Sequence, residues 1–420
     1  MDIYRQEFPV SHTSIHNHIV IQRVIIMKIV SRETIKPFTP TPSHLRTYNL
    51  SEMDLKNPRL YIPLVLFYPN NDGDVSLTTG EQKAIMLKKS LSQSLTRYYP
   101  FAGRLPSPAS SYVDCNDEGV LFLEARNDTQ LDTFQRMISS QDEALDQLFA
   151  DDMVNFNKTT NTDLVAVQLT HFACGGLALA ISFSHAIGDA RTLSSFLSHW
   201  ASMARYGSTD HKEPQEMGLT PGPENINVSK KFVFPNSRLN ELKKKLAGGS
   251  VNNPTRFEVL ASLLHKTLVE SVTATSGRFK PSYLWFTVNM RDRLVPKLPQ
   301  SNVGNLVKGM IVKTRHISEA SLIESTKSFL EKMRNGDLEN FPNGMYWVTS
   351  LCGFGFNKVD IGWGKPTGTS HALRATNGKV IMLMDTADDD GIEAMVFLEN
   401  ECMEIFENDK EMLSYCLPGV

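Results

Sequence analysis

Leu177-Ala178-Leu179-Ala180-Ile181-Ser182-Phe183 carries almost no polar side chain and, through Ser184, delivers the chain into His185-Ala186-Ile187-Gly188-Asp189. A short apolar run without alternation reads as a strand buried on both faces, the kind that lies at the centre of a sheet covered by helices. Side chains just past a strand end sit on a rigid support within reach of solvent, so His185 and Asp189 form the first constellation with chemical potential. The spacing alone decides little, because a chain with eleven histidines yields ~0.6 such pairs by chance. Three structural roles compete here with a base and its orienter: a hydrogen-bonded core histidine, a helix-capping aspartate, and two metal ligands lacking a third.

Working outward, strands and helices alternate on both sides of this segment. The apolar run 60–68 reads as a buried strand ended by Asn70-Asn71-Asp72-Gly73-Asp74. Apolar positions 84, 85, 87, 91 and 95 predict an amphipathic helix over 81–98, broken by Pro100. Further strands are expected at 120–125 and 164–171, and a helix at 192–206. In the second half helices are expected at 257–272 and 320–333, and strands at 283–288, 306–313, 379–385 and 393–398. Residues 207–229, rich in Gly, Pro, Glu, Asn and Ser, read as an exposed crossover. The expectation is an α/β protein of two lobes, 27–206 and 230–420, since 420 residues exceed what one hydrophobic core usually serves.

With 41% hydrophobic and 21% charged residues the chain has the composition of a globular protein. Its 43 basic and 46 acidic residues leave a net charge of −3, which offers no footprint for nucleic acid or an anionic membrane. Five cysteines without CxxC spacing suggest neither a zinc site nor a disulfide framework, so a reducing, cytoplasmic setting is expected. The apolar stretch around residues 24–30 is too short to span a bilayer and lacks a cleavage site. Residues 1–26 hold His12, His16 and His18 but no period. They read as a disordered or non-native extension, or alternatively a metal-binding tract, ahead of a natural chain start at Met27.

Asp360-Ile361-Gly362-Trp363-Gly364-Lys365-Pro366 is the second constellation. Two glycines bracketing a tryptophan point to a tight loop with an anchored aromatic, and the spacing is not that of a phosphate-binding glycine loop. The two constellations together, in this order, resemble the HxxxD and DFGWG signatures of the BAHD acyl-CoA-dependent acyltransferases. Supporting matches are Tyr99-Pro100-Phe101-Ala102-Gly103-Arg104-Leu105, Val288-Asn289-Met290-Arg291, Val303-Gly304-Asn305 and Leu383-Met384-Asp385-Thr386. The overall look is similar to the branch that acetylates alkaloid and terpenoid alcohols.

The resemblance implies a two-lobed, chloramphenicol acetyltransferase-like α/β fold with mixed sheets and a channel between the lobes. It implies His185 as the general base for an acceptor hydroxyl attacking an acyl-CoA thioester, with no acyl-enzyme. It further implies that Asp189 pairs with Arg291 and shapes the site, and that Asp360, Gly362, Trp363 and Gly364 form a structural loop. Thr349 and Ser350 match a position near the reaction site in some members, where a hydroxyl can stabilise an oxyanion. The expected partners are acyl-CoA as co-substrate and a small-molecule alcohol, with no permanent cofactor, no metal, no nucleic acid, no membrane, and a monomeric chain. The chain departs from the family pattern in three places: Ile361 stands for the usual Phe, the crossover before Lys230 is short, and the segment from Arg315 to Tyr346 is trimmed. Acetyl is the expected acyl group, because a malonyl carboxylate needs a cation and only Arg191, Arg291 and Lys365 lie near the motifs. The rival expectations are a catalytically silent binding or regulatory protein on the same fold, or transfer of a different acyl group, malonyl or aromatic.

Overall fold

The computed structural model describes residues 27–55, 60–70, 80–107, 109–138, 142–149, 163–207, 228–247, 253–277, 282–314, 345–371 and 379–417. The expected 1–26 extension and the helix over 320–333 lie outside the described residues, as do nearly all of the 207–229 crossover and the 315–346 segment.

Among the described residues, twelve strands build two six-stranded sheets. In chain order they are β1 (Lys28–Ile35), β2 (Tyr61–Tyr68), β3 (Val120–Asn127), β4 (Val165–Phe172), β5 (Leu177–Ser184), β6 (Val228–Pro235), β7 (Ser282–Asn289), β8 (Val307–Thr314), β9 (Met345–Ser350), β10 (Gly368–Ser370), β11 (Lys379–Asp385) and β12 (Gly391–Leu398). The first sheet has the order β1-β3-β4-β5-β2-β10 and the second β8-β7-β9-β11-β12-β6. Both are mixed, with β3–β4 parallel in the first and β7–β9 and β9–β11 parallel in the second. This is the two-lobed α/β architecture expected of the sequence.

Every residue of β5 is buried. Leu177, Leu179, Ile181 and Phe183 enter the large core on one face, whereas Ala178 and Ala180 pack into a smaller cluster on the other. Two helices cover the large-core face. In α1 (Gly80–Arg97) Ala84, Leu87, Leu91 and Leu95 are buried, a stripe at helical spacing. It packs on Leu193, Phe196, Leu197 and Trp200 of α2 (Ala190–Tyr206), and the Trp200 indole donates to the Leu87 carbonyl at 3.2 Å. The second sheet rests on α3 (Asn236–Leu246) and α4 (Arg256–Ser276), the latter started by a Thr255/Glu258 capping box.

The stretch 351–371 belongs by sequence to the second half yet packs on the first. Leu351, Phe356, Val359, Ile361 and Trp363 join the large core of the first sheet. Next, β10 pairs antiparallel with β2, Gly368 opposite Phe67 and Ser370 opposite Val65. The Asp360 loop, assigned by sequence to the 230–420 lobe, therefore has its packing partners in the first sheet.

Candidate active site

Where β5 stops, the chain turns sharply. The Ser184 amide donates to the Leu164 carbonyl and the His185 amide to the Leu60 carbonyl, each at 2.8 Å. The Ile187 amide closes back on the Ser184 carbonyl. His185 is thereby fixed at a sheet end with its residue surface only partly buried. Burial holds its imidazole below the ordinary histidine value, and the Asp189 charge pulls weakly the other way. The ring is therefore neutral at pH 7 and able to accept a proton. Its Nδ1 is buried without a hydrogen-bond partner.

Asp189 caps α2, accepting the Thr192 amide at 2.8 Å in an extended conformation. The same carboxylate takes a fork from Arg291, Nη1 to Oδ2 at 2.8 Å and Nη2 to Oδ1 at 3.0 Å, and accepts the Leu306 amide at 3.0 Å. Arg291 is fully buried; its remaining donors reach the carbonyls of Asn302 and Gly304 and the hydroxyl of Thr192. Every contact complements charge, which is the condition for a buried ion pair to be tolerated. Asp189 is thus both the capping residue and an ion-pair partner, and its carboxylate is occupied away from the imidazole. The pair clamps the start of α2 to the loop 302–306 of the second half.

Two further residues were not visible as site residues by motif reasoning. Asp54 is fully buried and accepts the amide and side-chain Nδ2 of Asn305 at 3.2 and 2.8 Å. Asn305 Nδ2 also donates to the His185 carbonyl at 2.8 Å. Burial pushes the Asp54 carboxyl up to about 6. Gly188 is the third omission. A Cβ there would lie 2.5 Å from Thr192 Cγ2, so only glycine allows the turn to meet the helix start.

The remaining candidates separate. Thr349 pairs in register with Met382 of β11, and strand alternation puts both on the face of the second sheet that meets the large core of the first. Trp285 and Trp347 share that face with ring centroids 4.3 Å apart. Ser350, expected beside Thr349 at the reaction site, lies on the opposite face with Val348 and Leu383, towards Cys352 and the helices. Successive strand residues point to opposite sides, so only one of the two hydroxyls can face the first sheet. Burial pushes the Cys352 thiol up to about 11, which makes it a poor nucleophile.

The Asp360 loop is remote. Asp360 Oδ1 accepts the amides of Gly362 and Gly364 at 2.8 and 3.1 Å, and Oδ2 pairs with Arg205. Gly362 and Gly364 have φ of 101° and 87°, a region that suits glycine. Trp363 lies edge-on against Tyr68, and Ile361 fills the core where an aromatic is usual. Tyr61 opposes Ser184 at the His185 end of β2 and Tyr68 opposes Leu177 at the other, a span of roughly 23 Å for seven strand residues. Among the described residues no cluster of His, Cys, Asp and Glu could hold a metal ion, and no helix is long and apolar enough to cross a membrane.

A family model described as the Transferase family matches residues 25–224, 221–336 and 318–413. Akuammiline synthase 1 of Alstonia scholaris is 33% identical, over 93% of this chain and 98% of the relative. The 17,18-epoxy-17-hydroxycur-19-ene N-malonyltransferase of Strychnos nux-vomica is 30% identical over 93% and 90%, and a limonoid 21-O-acetyltransferase of Melia azedarach 31% over 94% and 99%. Among solved structures, vinorine synthase superposes with a TM-score of 0.79 at 29% identity, covering 94% of this chain and 99% of that one. F. sporotrichioides TRI101, solved with coenzyme A and T-2, shares the fold with a TM-score of 0.71 at 16% identity, over 88% of this chain and 99% of its own.

Proposed function

The chain belongs to the BAHD transferase family of acyl-CoA-dependent O-acyltransferases, and from that premise we propose that it moves an acetyl group from acetyl-CoA to a hydroxyl of an alkaloid or terpenoid alcohol. The single observation that carries the mechanism is the placement of His185. His185, a partly exposed residue whose imidazole is kept neutral by burial, sits at the sheet end where Leu60 and Asp54 of the first half meet Asn305 of the second.

In the proposed reaction the acceptor hydroxyl gives its proton to Nε2 of His185 as its oxygen bonds the thioester carbonyl carbon. The tetrahedral intermediate then expels the CoA sulfur, and the imidazolium returns the proton to that thiolate. No covalent enzyme intermediate forms. Asp189 and Arg291 hold the start of α2 and the loop 302–306 in register and take no part in proton transfer. Thr349 is the hydroxyl proposed to stabilise the oxyanion. The face carrying Trp285, Trp347 and Met382 supports an apolar, polycyclic acceptor, the chemistry shared by the alkaloid and limonoid relatives.

The donor reading rests on charge. Arg291 is bound to Asp189, and the Arg191 guanidinium lies over the Phe354 ring. Among the described residues near the two motifs, a malonyl carboxylate would depend on Arg191, and the N-malonyltransferase relative makes that the alternative to test. Competition of acetyl-CoA and malonyl-CoA against a panel of indole-alkaloid and limonoid alcohols, read by product mass, should give acetyl esters. Predominantly malonylated product would overturn the donor, amide products the O-acylation, and no product with any acceptor the enzymatic reading.

A further inference from the structure

The support of the His185 ring contains an unbalanced pair of atoms. Asn305 Nδ2 spends its two N–H groups on Asp54 Oδ1 and on the His185 carbonyl, each at 2.8 Å. Both partners are acceptors, so the amide cannot be turned over without setting its oxygen against a carboxylate and a carbonyl. That orientation leaves Asn305 Oδ1 buried with no donor, on a residue already bonded to His185, whose Nδ1 is likewise buried with no partner. Buried polar atoms are normally paired, and two unpaired ones on adjoining residues are best explained by each other. Only a neutral imidazole carrying its hydrogen on Nδ1 has a donor to offer Asn305 Oδ1; the other tautomer turns a lone pair towards it.

Behind the amide stands Asp54, which accepts four donors: the Ser51 amide and hydroxyl on Oδ2 at 3.3 and 3.1 Å, and the Asn305 amide and Nδ2 on Oδ1. Four donated bonds fix the carboxylate, and the carboxylate fixes the amide. We infer that Asp54 and Asn305 are positioning residues for His185: Asp54 holds the Asn305 side chain, and Asn305 anchors the His185 carbonyl and accepts the Nδ1 hydrogen, so that Nε2 is left as the basic nitrogen. The inference rests on the proposed role of His185 as general base. It gives the two halves of the chain a shared task, since Asp54 comes from before β2 and Asn305 from the loop before β8.

The test is a ring-nitrogen NMR spectrum of enzyme labelled with ¹⁵N-histidine, at pH 8 without substrate, with His185 identified by comparison with His185→Gln. The expected resting state is the Nδ1–H tautomer, and Asn305→Leu should convert it to Nε2–H or to a mixture. In the same variant kcat for acetyl-CoA and the best panel alcohol should fall on the order of 10–100-fold, as for other residues that orient a functional histidine. KM for acetyl-CoA should stay within about twofold, since no CoA contact is removed. Asp54→Ala should lose turnover similarly and Asp54→Asn should recover part of it, because an amide oxygen can replace Oδ1 towards Asn305 while its NH2 faces the Ser51 amide in place of Oδ2. An Nε2–H resting tautomer, or Asn305→Leu with unchanged kcat and an unchanged spectrum, overturns the inference. Turnover surviving in His185→Ala overturns the base assignment, and the tautomer measurement remains independent of it. If Asn305→Leu is insoluble, the wild-type spectrum and the two Asp54 variants decide the matter.

Discussion

Replacing Asp189 by alanine should cost far more stability than the loss of one side chain suggests. The substitution strands Arg291, whose guanidinium is fully buried and was matched by a two-bond fork at 2.8 and 3.0 Å. Breaking a buried pair from one side costs about 3–5 kcal/mol, because the surviving charge has no solvent to turn to. The same carboxylate caps α2 through the Thr192 amide and satisfies the Leu306 amide. Loss of the cap alone is worth about 1 kcal/mol. Against a typical total of about 5–15 kcal/mol this threatens the folded state itself. Asp189→Asn should suffer less, since its amide oxygen still accepts one backbone N–H. Asp189→Ala combined with Arg291→Met should be more stable than Asp189→Ala alone, because the orphaned cation is gone. Urea unfolding followed by tryptophan fluorescence, run as a double-mutant cycle, reads the coupling as a midpoint difference, and a value above about 2 kcal/mol is expected. A soluble Asp189→Ala protein with the wild-type midpoint, or strictly additive single effects, would refute the reasoning.

His185→Ala should keep the wild-type unfolding midpoint and lose on the order of 10²–10⁴-fold in kcat, the contribution of a positioned general base. Because burial lowers the His185 pKa, the free base persists below the ordinary histidine value; kcat/KM should stay flat as pH falls towards about 6.5 and drop only at lower pH, and an inflection above that value would contradict the assignment. Gly188→Ala drives a methyl to 2.5 Å from Thr192 Cγ2, whose hydroxyl is held by Gly304 and Arg291; a loss of about 1–3 kcal/mol is expected, and a variant as stable as wild type in thermal melts would show that the turn can relax.

The strands and helices with strong local pattern were legible in the sequence. The apolar run before His185 is the fully buried β5, and the stripe at 84, 87, 91 and 95 is the buried face of α1. The HxxxD and DFGWG-like motifs identified the family. What the local pattern lacked were contacts between distant segments. Asp54 meets Asn305 across 251 positions, and nothing near either residue announces the partner. Thr349 and Ser350 looked equivalent side by side, yet strand alternation sends them to opposite faces, which becomes apparent only once β9 is in register with β11. Gly188 stands inside the first motif, but its necessity depends on the packed position of Thr192. Asp189 is the opposite case: capping and ion pairing read from sequence as separate roles, and one carboxylate fills both.

The short strand β10 sets an order for synthesis. Its partner β2 is made early and is buried along its whole length, with Val65, Leu66 and Phe67 at the edge that β10 covers. About 184 residues separate the end of β5 from the start of β10, which at ordinary elongation rates is about 10–40 s during which that edge has no neighbour from its own chain. An apolar strand edge left open is a template for pairing with another molecule. The nascent first half therefore depends on the remainder of the chain, or on a chaperone, to stay unaggregated. Expressed without residues 351–371 it should be collected as inclusion bodies, and swapping first halves between relatives will succeed only where the late-arriving strand is swapped with them.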